Sequence, residues 1–258
     1  MRRSLLFLPG NQASIIQNGM VLPADALIFD LEDAVALDEK DSARNLVASA
    51  FRHLDFGEHE KIVRINEDCS LRDEDIRAVV LAGADTIMLP KVVGSALLKE
   101  IAALLTEIER EAEIEVGRAK LLPLIETAAG IEFAYEAASA SERVVALALG
   151  GEDLAVDLGC KRTKEGWELL YSRQRLIIAA RAAAIEAIDT PYTDAHDNAG
   201  LLEDALLAKS LGFSGKLVIS PHHLKGVHQA FTPTRAEIDY ALEVIEVMEE
   251  ALRSGSGA

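Results

Sequence analysis

Six short apolar runs in this 258-residue chain lead into charged residues that core packing cannot use. Ile28-Phe29 runs into Asp30, Glu32 and Asp33, Ile62-Val63 into Arg64, and Met88-Leu89-Pro90 into Lys91. Leu124-Ile125 leads to Glu126, Gly150-Gly151 to Glu152-Asp153, and Tyr192-Thr193 to Asp194. Burying an isolated charge is costly, so these placements are unfavourable unless opposite charges or a metal ion offset them. Two carboxylates, Glu126 and Asp153, together with waters and substrate oxygens, suit Mg2+ or Mn2+, which prefer hard oxygen ligands. Arg64 is permanently cationic and forked, so it can hold an oxygen on which negative charge develops. Each of these residues alone is as well explained by a structural salt bridge. Arg64, Glu126 and Asp153 taken together point to function. Asp30, Glu32 and Asp33 leave a choice open, because one of them can equally cap the next segment or pair with an arginine. Gly150-Gly151 lets backbone approach a ligand, whose carboxylate can then rest on nearby amides beside the metal.

Other polar features read more plainly. His222 and His223 are adjacent, so both cannot point into one site from an extended segment, and they are assigned to a surface loop. Histidine therefore supports neither a zinc nor an iron site. The stretch Lys161-Arg162-Thr163-Lys164, with Arg173 and Arg175 beyond it, is basic in an acidic chain. It could meet phosphates, but the solvated flank of a loop and helix is the preferred reading.

A barrel would bring the charged ends together. Apolar runs lie at Ser4–Pro9, Ala26–Leu31, Lys61–Asn66, Thr86–Pro90, Lys120–Glu126, Val144–Gly150, Thr190–Asp194 and Gly215–Ser220. They are nearly continuous in Val, Ile and Leu, as strands buried on both faces are. Helical segments alternate with them near Gln12–Met20, Lys40–Phe51, Arg72–Ala82, Ser95–Glu111, Ala129–Ser139, Glu168–Ala187, Gly200–Leu211 and Thr234–Leu252. Thr234 and Glu237 have capping-box spacing, and Gly212 stands where a helix C-cap would. This alternation predicts a single-domain α/β fold, a (β/α)8 TIM barrel over residues 1–252 with a flexible tail at 253–258. In such a barrel all carboxyl strand ends share one mouth. The rival, an open doubly wound sheet, normally carries a glycine-rich phosphate loop after its first strand, whereas this turn reads Pro9-Gly10-Asn11-Gln12.

The formal net charge of −17 argues against nucleic acid and anionic membrane as partners. The amino end, Met1-Arg2-Arg3, opens like a signal peptide, but the apolar run behind it is short and stops at Pro9-Gly10, and no stretch is long enough to span a bilayer. Cys69 and Cys160 fit neither a disulfide framework nor a zinc spacing, which suggests a reducing, cytoplasmic setting.

The ordered motifs Ser4 to Gly10, Asp30 to Val35, Val63 to Asn66, Met88 to Lys91, Ile125 to Gly130 and Gly150 to Leu154 together resemble the citrate lyase beta subunit (citryl-CoA lyase) and malyl-CoA lyase family. The likeness runs from Arg3 to about Thr234. It implies a Mg2+-dependent barrel lyase, usually a homotrimer or higher oligomer, that splits a 3-hydroxyacyl-CoA into an acyl-CoA and a 2-oxo acid such as oxaloacetate, glyoxylate or pyruvate. Under it Glu126 and Asp153 match the metal ligands, Arg64 the substrate-binding arginine, and Glu32 and Asp33 the acidic residues beside the metal. Catalysis is then expected from Arg64, Glu32 and Asp33, and substrate binding from Arg64, Lys91, Gly151, Glu152 and Asp153. Citrate lyase alpha and gamma subunits are possible partners. The chain departs from the family in carrying Ile219-Ser220-Pro221 where members usually have Ile-His-Pro. It also ends at Ala258, where larger members continue into a segment that covers the site, so it resembles a short form lacking that lid.

Two other functions use the same residues. One is a CoA-independent, metal-dependent pyruvate aldolase. The other is a barrel that binds 2-oxo acids or CoA thioesters without turnover.

Overall fold

The computed structural model describes residues 2–254. Its apolar runs form eight parallel strands: β1 Ser4–Pro9, β2 Ala26–Asp30, β3 Glu60–Arg64, β4 Thr86–Leu89, β5 Lys120–Ile125, β6 Ala146–Leu149, β7 Glu186–Asp189 and β8 Gly215–Val218. They pair in chain order, and β8 returns to β1, closing the expected (β/α)8 barrel. Alternation along each strand sorts the side chains. Leu5, Ile28, Ile62, Met88, Leu122, Leu124, Ile188 and Leu217 fill the barrel interior, together with the small Ala26, Ala146 and Ala148.

The other strand faces meet a surrounding layer of helices, α1 Ala13–Gly19, α2 Lys40–His53, α3 Cys69–Ala82, α4 Ala96–Glu111, α5 Ala128–Glu132, α6 Ala134–Ala138, α7 Gly151–Asp157, α8 Leu170–Ala182, α9 Asn198–Leu211 and α10 Leu224–Phe231, and a last helix, α11 Arg235–Ser254, follows outside that layer. In α4 the buried Leu98, Ile101, Leu105 and Ile108 recur at helical spacing and form one apolar stripe. Phe29 of β2 is fully buried and meets Phe51 and Phe56 edge-on, at centroid distances of 4.8 and 5.2 Å. Burying a ring of that size is worth about 2–3 kcal/mol.

The seventh strand lies earlier than Thr190–Asp194. Arg181 to Ala184 are strong helix formers, so the helical pattern continues into the strand without a visible break. The stop is made by Ala184, a residue other than glycine in the left-handed region at φ 58°. Thr190–Asp194 is instead the loop that leaves the strand. The segment expected at Ala129–Ser139 divides into α5 and α6, and α7 and α10 were not foreseen as helices.

The helix expected at Thr234–Leu252 is present as α11, and its capping box forms. Thr234 N donates to Glu237 Oε2 at 2.7 Å, and Glu237 N to Thr234 Oγ1 at 3.2 Å. Yet every residue from Thr232 to Glu250 is exposed, and α10 takes the place against β8 and β1. Of the tail, Arg253 and Ser254 continue α11, and 255–258 lie outside the described residues. Among the described residues no helix is long and apolar enough to cross a membrane.

Candidate active site at the barrel mouth

The carboxyl strand ends open onto a cavity of about 440 Å3. Asp30 and Asp33 enter it from β2 and the turn beyond, and Arg64 from β3. Glu126 stands just past β5, and Gly150, Gly151, Glu152 and Asp153 form the passage from β6 into α7. Phe7, Pro9, Leu124, Leu217 and Ile219 give the cavity an apolar side.

Arg64 is gripped from one direction. Its Nε and Nη2 donate to the two carboxylate oxygens of Asp30 at 2.8 and 2.6 Å, while Nη1 faces Glu32 at 2.9 Å and Asp33 at 3.3 Å. Its guanidinium also lies 5.1 Å from the Phe7 ring centre. Against the pull of burial, Asp30 first and then Glu32 and Asp33 hold Arg64 above its ordinary pKa. Burial pushes Glu32 up to about 7, opposed by Arg64 and reinforced by Asp33 and Asp30.

Glu126 is 3% exposed and accepts a hydrogen bond from the Lys91 amide at 2.8 Å. Burial pushes its carboxyl up to about 8, against the Lys91 bond and with added repulsion from Asp153. Gly150 makes room for it, because a Cβ there would stand 2.5 Å from Glu126 Oε2. Gly151 is equally confined, with its amide donating to Thr190 Oγ1 at 2.9 Å.

A divalent cation fits this donor set. Carboxylates outnumber cations at the mouth, and the repulsion between Glu126 and Asp153 is of the kind a shared ion would relieve. Among the described residues no group of three or more His, Cys, Asp or Glu side chains is placed to hold an ion. A two-carboxylate site leaves positions for water and substrate oxygens, which suits Mg2+.

Other sequence-selected residues lie at the edge or elsewhere. Lys91 does not line the cavity; its ammonium reaches Glu67 at 3.1 Å and Glu32 only at 3.9 Å. The Glu152 carboxylate pairs with Arg162 at 3.1 Å. Asp194, in the loop after β7, pairs with Lys164 at 2.8 Å and is not brought to the cavity. The basic stretch is largely spent within the fold. Arg162 also binds Glu168, Lys164 also binds Asp197, and Arg175 donates to the Glu132 carbonyl. Arg173 is wholly buried between Asp189 and Asp204. His223 is not a surface residue. It is 1% exposed, lies against Tyr192, and bonds the Asp194 carbonyl at 3.2 Å, whereas His222 is exposed as expected.

Sequence reasoning missed two supports. Lys40 Nζ donates to the carbonyls of Leu31 and Glu32 at 2.8 and 2.6 Å, pinning the acidic turn, and nothing in its spacing announces that. Thr190 holds Gly151, a role hidden when Thr190 is read as the start of a strand rather than the first residue past one.

Comparison with known proteins agrees with this fold. The family model described as HpcH/HpaI aldolase/citrate lyase matches residues 3–221. The citrate lyase subunit beta of Escherichia coli K12 is 44% identical over 257 residues, covering 99% of this chain and 85% of that protein. The (3S)-malyl-CoA thioesterase of Cereibacter sphaeroides is 35% identical over 256 residues, covering 99% of this chain and 86% of that protein. The crystal structure of CitE from Mycobacterium tuberculosis in complex with magnesium, acetoacetate and coenzyme A superposes with a TM-score of 0.75. It is 30% identical, covering 96% of this chain and 87% of that one. The chain therefore belongs to the HpcH/HpaI aldolase/citrate lyase family and is a carbon–carbon lyase.

Proposed function

We propose that this barrel cleaves a 3-hydroxyacyl-CoA of the citryl-, malyl- or citramalyl-CoA type into an acyl-CoA and a 2-oxo acid, with Mg2+ (or Mn2+) held by Glu126 and Asp153. The observation that carries the reading is that Arg64, Glu126 and Asp153, from three separate strand ends, line one cavity. The magnesium and coenzyme A bound by the M. tuberculosis relative support the ligand set.

In the reaction the substrate hydroxyl loses its proton as the adjacent carbon–carbon bond breaks. The bonding pair passes to the thioester as an enolate, which takes up a proton at carbon. Glu126 and Asp153 would hold the metal, which would supply Lewis acidity where the hydroxyl loses its proton. Arg64 lines the cavity, and its Nη1, the nitrogen that Asp30 does not hold, stabilises the enolate oxygen. Glu32, its pKa raised to about 7 by burial, is poised to hold or release a proton near neutrality, with Asp33 beside it. The backbone amides of Glu152 and Asp153 hold the carboxylate of the 2-oxo acid, and Gly151, anchored to Thr190, leaves room for its approach. Lys91 assists binding through its amide contact with Glu126 rather than through its ammonium. The apolar side, with Phe7 and Leu217, limits water beside the enolate.

The same reading makes the chain a cytoplasmic homotrimer or higher oligomer, with citrate lyase alpha and gamma subunits as candidate partners. Cys69 and Cys160 are exposed free thiols, in keeping with a reducing compartment.

The test is release of a 2-oxo acid from citryl-CoA, malyl-CoA and citramalyl-CoA, with Mg2+ and with chelator. Chelator-sensitive release from one thioester is expected. Turnover of a free hydroxy-oxo acid alone would favour the aldolase, and magnesium and pyruvate binding without any product would favour a non-catalytic barrel.

A further inference from the structure

Asp30 and Arg64 are register partners at the ends of β2 and β3. The Asp30 side chain is nearly inaccessible, at 2% exposure for the residue, and both its oxygens are engaged twice. Oδ1 accepts from Arg64 Nε at 2.8 Å and from the Glu32 amide at 2.9 Å. Oδ2 accepts from Arg64 Nη2 at 2.6 Å and from the Ala34 amide at 3.2 Å. One carboxylate thus fixes two edge nitrogens of the guanidinium and the turn that carries Glu32 and Asp33.

The remaining nitrogen, Nη1, is held differently. It meets Glu32 at 2.9 Å and Asp33 at 3.3 Å, and the Asp33 side chain is 61% exposed. A bidentate, buried pair is much harder to displace than a long contact to a solvated carboxylate. We propose that Asp30 is a positioning residue. It locks Arg64 by its Nε–Nη2 edge, so that Nη1 alone is exchanged, from Asp33 to the incoming substrate oxygen. The inference rests on the reading that Arg64 stabilises that oxygen, and it adds the residue that aims it and the carboxylate that yields.

The chemistry predicts a coupled pair. Asp30→Asn keeps the shape but turns an amide N–H toward an arginine N–H. Asp30→Glu keeps the charge and moves the fork by one methylene. Each variant is made alone and with Arg64→Ala, in the full-length protein with Mg2+. The readouts are kcat and KM on the best thioester, calorimetric binding of Mg2+ and of acetyl-CoA, and melting temperature. The expected result is a loss of kcat of about 100-fold in Asp30→Asn, with KM and Mg2+ affinity changed less than about threefold and no further loss beside Arg64→Ala. Added guanidinium ion is expected to restore part of the activity of Arg64→Ala, and to fail when Asp30 is also replaced. Multiplying losses, rescue that ignores Asp30, or Mg2+ affinity that falls in step with kcat would overturn the positioning role. Should Asp30→Asn melt early, the same losses and the same absence of multiplication are required of Asp30→Glu. If the parent chain cleaves no thioester, the reaction assigned above fails. The positioning claim is then judged on acetyl-CoA binding, the thioester whose oxygen Arg64 meets, which must weaken in Asp30→Asn and in Arg64→Ala without the two effects adding.

Discussion

The amide of Lys91 donates to Glu126 Oε1 at 2.8 Å because Lys91 occupies the left-handed region, at φ 49°. That conformation costs a residue with a side chain about 1–2 kcal/mol. Lys91 is thus a backbone device, and its ammonium, 38% exposed and paired with Glu67, contributes little by comparison. Lys91→Ala is expected to leave Mg2+ affinity within about threefold of the parent, as an exposed ion pair of ~0–1 kcal/mol implies. Lys91→Pro cannot adopt the conformation and has no amide to give, so Mg2+ binding should be lost. Calorimetry on the two variants separates a side-chain role from a main-chain one.

The buried Glu126 makes the metal-free protein sensitive to pH. Its folded pKa, near 8, lies above its ordinary value near 4.5, so the folded state binds the proton more tightly than the unfolded one. The contribution is present at low pH and is lost as pH rises between those two values, at no more than about 1.4 kcal/mol per pH unit. Thermal melting of the chelated protein should fall from pH 5 to pH 8, and saturating Mg2+ should flatten that slope. Glu126→Gln keeps an acceptor for the Lys91 amide while removing the titration. It should melt higher than the chelated parent at pH 8 and bind no Mg2+. A chelated parent whose melting point is level across this range would refute the account.

Gly150 is set by packing rather than by backbone freedom. A methyl group there would meet Glu126 Oε2 at 2.5 Å and Glu126 Cβ at 2.6 Å. Gly150→Ala must displace the Glu126 side chain. Overpacking of this kind costs about 1–3 kcal/mol, so the barrel should still fold. Activity should fall by at least about 100-fold and Mg2+ affinity with it, the mark of a displaced ligand rather than of a lost fold.

Most of the barrel was legible because parallel strands are apolar throughout and their carboxyl ends are where charge intrudes. Glu126 and Asp153 stood out by that contrast, as did Arg64. Where the contrast failed, so did the reading. The Ala-rich end of α8 has no glycine before β7, and Ala184 supplies the turn unannounced. Asp30 offered a choice between capping the next segment and pairing with an arginine; it pairs with Arg64 and accepts the Glu32 and Ala34 amides of its own turn, while α2 has no side-chain cap. Lys40, which braces the acidic turn through two carbonyls, acts by a contact that only three dimensions reveal.

A second group of charges lies on the outer face of β7 and β8, away from the mouth. Lys216 Nζ bonds Asp189 and Asp204, each at 2.6 Å, and Arg173 bonds the same two carboxylates at 2.9 and 2.7 Å. Arg173, Asp189 and Lys216 are fully buried and Asp204 is nearly so. Burial alone would raise the Asp204 pKa, yet Lys216 and Arg173 bring it below the ordinary carboxylate range. Two cations and two anions balance here, so the group tolerates loss of a pair better than loss of one member. Lys216→Met leaves two buried carboxylates sharing the single cation Arg173, with one negative charge uncompensated, and should cost about 3–5 kcal/mol. In a chain of this size that lowers the melting temperature by roughly 6–20 °C. Lys216→Met with Asp204→Leu retains the Arg173–Asp189 pair and should recover much of that loss. A double variant that melts as low as the sum of its two single losses would show that the four groups act independently, contrary to the geometry.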